Sequence, residues 1–200
     1  MKLNSDNIGD LYKHWFSKSI LEPSLIDFKD SKSFAEIIKN FQNDYFRYFN
    51  SNEIVKENIL SRIELVGILL YRTAHHYFLS GNEEWSAQYC NLGRIITGFE
   101  IYYSAEIGEG MKINHGLGTV IGARCKIGKN VLIHQNVTLG DKNNKRPVIK
   151  DNVTIYSGAK ILGGIVIGEN AVIAANAVCI SDVPDNTVAV GIPAKIIFKK

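Results

Sequence analysis

The stretch VIKDNVTIYSGAKILGGIVIGENAVIAANAVCI, residues 148–180, repeats one pattern every six residues. A large aliphatic residue marks most of the repeats, and the residue two positions before it is small or aliphatic, as in Ala159 before Ile161 and Ala171 before Ile173. A parallel β-helix has this period, because three six-residue repeats form one coil and the aliphatic side chains stack from coil to coil. The stretch therefore predicts a β-helix.

The repeat extends back to residue 101 and is interrupted twice. The marked positions are Ile101, Ile107, Ile113, Ile121, Ile127, Ile133, Leu139, Ile149, Ile155, Ile161, Ile167, Ile173 and Cys179. Eight residues separate Ile113 from Ile121, and ten separate Leu139 from Ile149, where six are expected. Two residues must therefore bulge from the first interruption, and part of GDKNNKRP (140–147) must loop out at the second. Insertions on a rigid scaffold are where functional residues tend to lie.

The first half of the chain has a different period. Before residue 98, aromatic and long apolar residues recur every three or four positions among mixed charges, which predicts helices near 31–49, 53–80 and 83–96. The sequence thus predicts an α+β protein with two domains. A helical domain at 1–97 precedes a β-helix domain at 98–200.

Composition and charge exclude several classes of protein. The formal net charge is only +3 and the basic residues are scattered, so no nucleic-acid partner is predicted. The longest apolar run, LVGILL (65–70), is far shorter than the roughly 20 residues that cross a bilayer. The first ten residues are polar, unlike a signal peptide, so we predict a cytoplasmic protein without a transmembrane segment.

Disulfides and metal sites are not predicted. Cys90, Cys125 and Cys179 are odd in number and lie among apolar neighbours, as small core residues do. A zinc enzyme on this scaffold would need three histidine ligands. The second half of the chain contains only His115 and His134, so we expect no bound metal.

Four stretches together resemble a known family. They are YRTAHHYFLSGN (71–82), AEIGEGMKINHGLGTVIG (105–122), VLIHQNVTLG (131–140) and VGIPAKI (190–196). They look like the left-handed β-helix of hexapeptide-repeat acyltransferases, in the order found in the serine acetyltransferase branch. The resemblance implies acetyl-CoA as the acyl donor. It also implies a homotrimer with acetyl-CoA bound between neighbouring β-helices, or a dimer of such trimers.

The expected reaction needs a base that removes a proton from a hydroxyl as it attacks a thioester. A histidine suits this role because its unperturbed pKa of about 6.5 leaves the neutral imidazole abundant at neutral pH. By resemblance, His115 in the first bulge is the catalytic base, and Glu100 matches the aspartate that orients it. On chemistry alone, His115 as a turn residue and Glu100 as an ordinary exposed charge remain alternatives.

Counting repeats predicts which residues surround His115. His134 and Gln135 should lie one coil above Asn114 and His115, so Asn114, His134 and Gln135 are predicted to contact the acceptor, together with Lys145 and Arg146 of the extruded loop. The resemblance assigns acetyl-CoA binding to Gly140, Ser157, Gly158, Ala159, Lys160 and Lys195. A solvated surface charge is the alternative for Lys195.

Departures from the serine enzymes guide the prediction of the acceptor. Asn114 stands where those enzymes carry an aspartate, and a neutral amide attracts a substrate ammonium far less than a carboxylate does. The helical half also shows no match to their Arg-Asp-Pro segment. We therefore predict an acetyl-CoA-dependent O-acetyltransferase acting on a sugar of a surface polysaccharide. L-serine O-acetyltransferase and a non-catalytic β-helix scaffold are the alternatives. Docking to cysteine synthase is not expected, because the C-terminal extension that serves it is not found.

Overall fold

The structure, a computed structural model, describes residues 2, 4–17 and 31–198; the parts of the two predicted domains at residues 1, 3, 18–30 and 199–200 lie outside it. The helices are α1 (Ser5–Ser17), α2 (Ser31–Phe49), α3 (Lys56–Leu60), α4 (Ile63–Leu79) and α5 (Glu83–Thr97). The strands are β1 (Glu100–Ile101), β2 (Glu106–Ile107), β3 (Lys112–Ile113), β4 (Val120–Ile121), β5 (Lys126–Ile127), β6 (Leu132–Ile133), β7 (Thr138–Gly140), β8 (Val148–Ile149), β9 (Thr154–Ile155), β10 (Lys160–Leu162), β11 (Val166–Ile167), β12 (Val172–Ile173), β13 (Val178–Cys179), β14 (Thr187–Val190) and β15 (Lys195–Phe198).

The strands form the three walls of a triangular β-helix. Their orders are β1-β4-β7-β10-β13 in the five-stranded sheet, β2-β5-β8-β11 in the four-stranded sheet, and β3-β6-β9-β12-β14-β15 in the six-stranded sheet. Every pairing is parallel except that of β14 with the terminal β15. Ile113 pairs with Ile133, and Ile133 with Ile155, as a coil of three repeats requires. The predicted fold, helices followed by a β-helix, is confirmed.

The interior of the β-helix holds the predicted aliphatic ladder. All thirteen marked positions are buried, and none is more than 9% exposed. The small residues two positions earlier, such as Ala159 and Ala171, are also buried, and they leave room for the larger neighbours. Because a fully buried Val, Leu or Ile side chain contributes about 1.5–3 kcal/mol, the ladder accounts for much of the stability of this half.

The helical half differs from its prediction in two places. Helices α2 and α5 match the predicted ranges, but the predicted helix 53–80 is broken into α3 and α4 at the extended Arg62. Leu60 and Ile63 on either side of the break are 49% and 44% exposed, so the apolar face is not continuous there. Helix α1 was not predicted. Within the described residues, no helix is both long and apolar enough to cross a membrane.

A buried ion pair joins the helices to the first coil. Arg72 of α4 donates to Asp44 of α2 through Nε at 2.8 Å and Nη2 at 3.0 Å. The same guanidinium donates to the carbonyls of Ile107 and Gly108, both at 2.7 Å. Asp44 also accepts a hydrogen bond from the Met111 backbone N–H at 2.7 Å. The pair therefore provides hydrogen-bond partners for backbone groups of residues 107–111, which lead into the first interruption.

Phe99 provides a second connection. Its ring lies so close to Gly67 of α4 and Gly116 of the first interruption that a Cβ at either glycine would come within 2.2 Å and 2.5 Å of ring atoms. Phe99 is 3% exposed. The absence of side chains at both glycines allows the ring to fit between the helix and the loop.

Candidate active site

His115 lies in the loop 114–119 that links β3 to β4, at one edge of the triangular coil. Its φ of 58° is in the left-handed region, and its side chain is exposed. Histidine is tolerated there better than most residues, although the conformation costs roughly 1–2 kcal/mol compared with a right-handed one. The bulge predicted from the spacing is thus present, and it presents the imidazole to solvent.

Three contacts hold the backbone around His115. The Tyr48 hydroxyl of α2 donates to the Ile113 carbonyl at 2.7 Å and accepts from the Ile113 N–H at 2.8 Å. The Gly118 N–H donates to the Gly98 carbonyl at 2.9 Å. Phe99 packs on Gly116, as described above. Because the helices supply Tyr48 and the chain just after α5 supplies Gly98 and Phe99, the position of His115 depends on the helical half as well as on the β-helix.

Successive coils bring their turns to the same edge, which we call the His115 edge (residues 114–119, 134–137, 156–159 and 174–177). His134 lies one coil from Asn114, as the spacing predicted, because β3 pairs in register with β6. Its ring stacks on Tyr156 of the next coil, with ring centroids 5.0 Å apart. Burial lowers the pKa of His134, and its electrostatic interaction with the neighbouring His115 imidazole lowers it further. His134 is therefore held toward its neutral form beside the candidate base.

Gln135 and the predicted cofactor residues 157–160, in the turn between β9 and β10 and at the start of β10, also lie at this edge. The Oε1 atom of Gln135 is buried and has no hydrogen-bond partner among the described residues. Gly158, with φ of 75°, donates to the Gln135 carbonyl at 2.9 Å, and the Lys160 ammonium donates to the Asn136 carbonyl at 2.5 Å. The Ser157 carbonyl accepts from the next coil, and Ala159 is fully buried. The edge thus brings most of the predicted binding residues onto the same side as His115.

The structure pairs Glu100 with a partner other than His115. Its carboxylate lies 3.5 Å from Nη1 of Arg94 on α5, and the two side chains are 24% and 57% exposed. Glu100 is in β1, whose neighbour in the same sheet is the β4 strand that follows the His115 loop. The carboxylate and the imidazole are therefore in the same region, but the described contacts do not join them.

Lys145 and Arg146 lie elsewhere. Their loop, 141–147, turns between the five-stranded and the four-stranded sheets, at a different edge of the coil from His115. Arg146 forms an ion pair with Asp141 and donates to the Ala123 carbonyl at 3.0 Å. We call this the loop edge. Within one chain, the extruded loop and the first bulge lie at different edges, because consecutive turns of a triangular coil fall on different edges; contact of Lys145 and Arg146 with the acceptor stays a prediction.

The remaining predicted cofactor residues are also separated from His115. Gly140 ends β7 at the loop edge, where it pairs with Leu162. Lys195 pairs with Val190 at the end of β14, beside residues 174–177, so it lies on the His115 edge but at the far end of the stack of coils from His115, and its side chain is exposed. A ligand that contacts Gly140 and the His115 edge of the same chain must therefore cross the five-stranded sheet.

A pocket of about 170 Å³ opens beside His115. Its lining is Tyr48, Arg62, Glu64, Lys112, Ile113, Asn114 and His115. The position of Tyr156 above His134 follows from the same spacing that located His134. No sequence signal indicates Arg62 or Glu64, because only the packing of α4 against β3 brings them here. No cluster of three metal-ligating side chains occurs within the described residues.

The arrangement suits acyl transfer from a thioester. An exposed imidazole lies at the mouth of a polar pocket, with a second imidazole and a tyrosine ring along the same edge. Such a base can take a proton from a hydroxyl in the pocket.

Comparisons with known proteins agree with this chemistry. The family described as bacterial transferase hexapeptide (six repeats) matches residues 146–181. The chain is 40% identical over 147 residues to a serine acetyltransferase of Bacillus subtilis (strain 168), and the match covers 72% of this chain and 68% of that relative.

Two solved structures share the fold of the chain. Neisseria gonorrhoeae serine acetyltransferase in complex with serine has a TM-score of 0.78 and 28% identity, and the match covers 95% of this chain and 83% of that chain. A serine acetyltransferase in complex with CoA has a TM-score of 0.75 and 30% identity, and the match covers 83% and 72%.

These findings overturn the predicted acceptor. The polysaccharide acceptor is wrong, because the relatives and solved structures that share most of the chain's length are named serine acetyltransferase.

Identity to the Bacillus subtilis relative extends over more than two thirds of both chains, and a solved serine acetyltransferase apoenzyme shares the fold over 96% of this chain, with a TM-score of 0.84. The chain belongs to the serine acetyltransferase branch of the hexapeptide-repeat acyltransferases, which are O-acetyltransferases that take the acetyl group from acetyl-CoA.

Proposed function

We propose that this chain is an L-serine O-acetyltransferase. The observation that carries the proposal is the 40% identity to a serine acetyltransferase across 72% of the chain. The same identity favours an enzyme over a non-catalytic scaffold. The pocket size adds support, because about 170 Å³ is below the roughly 300–1,000 Å³ of pockets that enclose drug-sized ligands. An amino acid is closer to this size than an oligosaccharide.

In the proposed mechanism, the neutral imidazole of His115 removes the proton of the serine hydroxyl as its oxygen attacks the thioester carbonyl of acetyl-CoA. A C–O bond forms and gives a tetrahedral oxyanion. Its collapse breaks the C–S bond, and the imidazolium returns the proton to the leaving thiolate. O-acetylserine and CoA are the products, and His115 ends the cycle neutral.

Glu100 is proposed to orient the His115 imidazole. Its present partner, Arg94, is more than half exposed, and exposed ion pairs contribute only about 0–1 kcal/mol. Turning the carboxylate away from Arg94 toward the His115 loop therefore costs little.

We further propose that acetyl-CoA lies along the His115 edge, with backbone groups of Ser157 and Gly158 and the Lys160 ammonium as contacts, and Lys195 near a phosphate. The separation of the two edges within one chain favours a trimer, in which the loop edge of a neighbouring subunit approaches the His115 edge. A cytoplasmic location and domains at 1–97 and 98–200 complete the proposal. The domain boundary is supported by the end of α5 at Thr97 and the start of β1 at Glu100.

The test is thiol release from acetyl-CoA by the purified protein with L-serine or with a panel of saccharides. His115→Asn is the variant of choice, because asparagine also tolerates a positive φ but provides no base. His14→Asn, at an exposed position in α1, is the matched control. We expect release with L-serine that His115→Asn reduces at least 100-fold and His14→Asn leaves unchanged. No release with L-serine, or full activity of His115→Asn, would refute the proposal.

A further inference from the structure

We propose that Glu64 and Arg62 determine acceptor specificity: Glu64 binds the ammonium of L-serine and Arg62 binds its carboxylate, in the pocket beside His115. The inference rests on the proposed function. It assigns the charge recognition of the substrate to the start of α4, rather than to Asn114 and the extruded loop.

The pocket has the charges that a zwitterion with a hydroxyl needs. It contains one carboxylate, Glu64, and the imidazole of His115 lies within the same lining. Asn114, next to the imidazole, is neutral. Glu64 is thus the acidic side chain that lines this pocket, and an ammonium bound there would place the hydroxyl of a small amino acid toward His115.

Glu64 is available for a ligand. It is partly buried in the first turn of α4, and in the described part of the chain its carboxylate forms neither an ion pair nor a hydrogen bond. Its negative charge nevertheless acts on Tyr48, which lines the same pocket. Burial raises the pKa of Tyr48, and the negative charge of Glu64 raises it further.

We assign the substrate carboxylate to Arg62 because the other basic side chains considered have contacts elsewhere. The other pocket cation, Lys112, donates to the Arg47 carbonyl at 3.1 Å and lies 5.1 Å from the centre of the Tyr48 ring. Arg146 lies at the loop edge, where Asp141 balances its charge. The Arg62 side chain is exposed, and no hydrogen bond or ion pair of it is found among the residues described. A guanidinium also suits a carboxylate geometrically, because it can donate two parallel hydrogen bonds.

A purely structural role for Glu64 must be distinguished from recognition. An acidic residue in the first turn of a helix interacts favourably with the helix dipole. Glu84 has this position in α5, is exposed, and lies outside the pocket. Glu84→Gln is therefore the matched control for Glu64→Gln.

The experiment measures the KM for L-serine and the inhibition constants of two serine analogues in the wild-type protein, Glu64→Gln, Arg62→Gln and Glu84→Gln. 3-Hydroxypropanoate lacks the ammonium, and ethanolamine lacks the carboxylate. We expect Glu64→Gln to weaken L-serine and ethanolamine by about 10- to 100-fold and to leave 3-hydroxypropanoate within about twofold. Arg62→Gln should weaken L-serine and 3-hydroxypropanoate and spare ethanolamine.

The KM for acetyl-CoA and the melting temperature separate recognition from misfolding. Both should stay unchanged in the two pocket variants, and Glu84→Gln should behave as the wild type. Equal weakening of all three ligands by Glu64→Gln, or an unchanged KM for L-serine, would overturn the inference while leaving serine acetylation itself intact. A wild-type protein that does not acetylate L-serine would instead remove the proposed function, and this inference with it.

Discussion

Replacing Asp44 by asparagine should strongly destabilise the protein. The two side chains of the Asp44–Arg72 pair are 0% and 5% exposed, and they are joined by hydrogen bonds of 2.8 and 3.0 Å. A neutral amide would leave the buried guanidinium without a counter-charge, which typically costs 3–5 kcal/mol. Because 1 kcal/mol lowers Tm by about 2–4 °C in a chain of this length, the expected loss is roughly 6–20 °C. The assay is thermal unfolding followed by circular dichroism at one protein concentration.

The control uses an ion pair of the same charge type on the surface. Lys126 and Glu106 are 3.4 Å apart, and their side chains are 60% and 61% exposed. Glu106→Gln should change the free energy of unfolding by less than about 1 kcal/mol. If Asp44→Asn lowered Tm no more than Glu106→Gln does, the argument that Arg72 depends on a buried counter-charge would be refuted.

Three further predictions concern packing, pH and thiol reactivity. Gly116→Ala should lower kcat and Tm together, because its Cβ would collide with the Phe99 ring. Gly93→Ala is the control: Gly93 also lacks a positive φ, its Cβ would meet Leu70 only at an ordinary contact distance of 3.6 Å, and the substitution should spare kcat. Burial lowers the pKa of His75, so the unfolded chain binds a proton at a higher pH than the folded chain does. The contribution of His75 to stability is therefore constant above about pH 6.5 and decreases as the pH drops from there to the native pKa. Urea titrations at pH 7.5 and 5.5 should show a smaller loss of unfolding free energy for His75→Gln than for the wild type. Burial raises the pKa values of the thiols of Cys125 and Cys179, which are buried, and of Cys90, which is partly buried, to about 11. All three should react slowly with a disulfide reagent at pH 8 and rapidly in urea; fast labelling of Cys125 or Cys179 in the native protein would contradict their burial.

The β-helix could be predicted from the sequence because each coil repeats the same local requirement. One inward aliphatic residue every six positions sets the register, so Ile133 could be placed against Ile113 and Ile155 by counting alone. The same count located His134 above Asn114. It does not bring Lys145 and Arg146 beside His115 within one chain, because consecutive turns fall on different edges of the coil.

The helical half could be predicted only in part. Apolar periodicity located α2 and α5, but it gave no sign of the extended Arg62 that separates α3 from α4. Glu64 and Arg62 reach the pocket through tertiary packing, so no local pattern marks them. The change of charge at Asn114 is visible in the sequence, whereas the packing that brings the Glu64 carboxylate into the same pocket is not.

The turns along the His115 edge are evenly spaced. Neighbouring strands of a sheet are about 4.8 Å apart, so the turns that carry Asn114, His134 and Tyr156 stand at multiples of that distance. A molecule lying along the edge meets a new row of side chains only when it is longer by one whole step. Substitutions within one row can change which chemical group of a ligand is bound there. A ligand of a different length, however, reaches a different row, so binding it requires changes in the side chains of that next row.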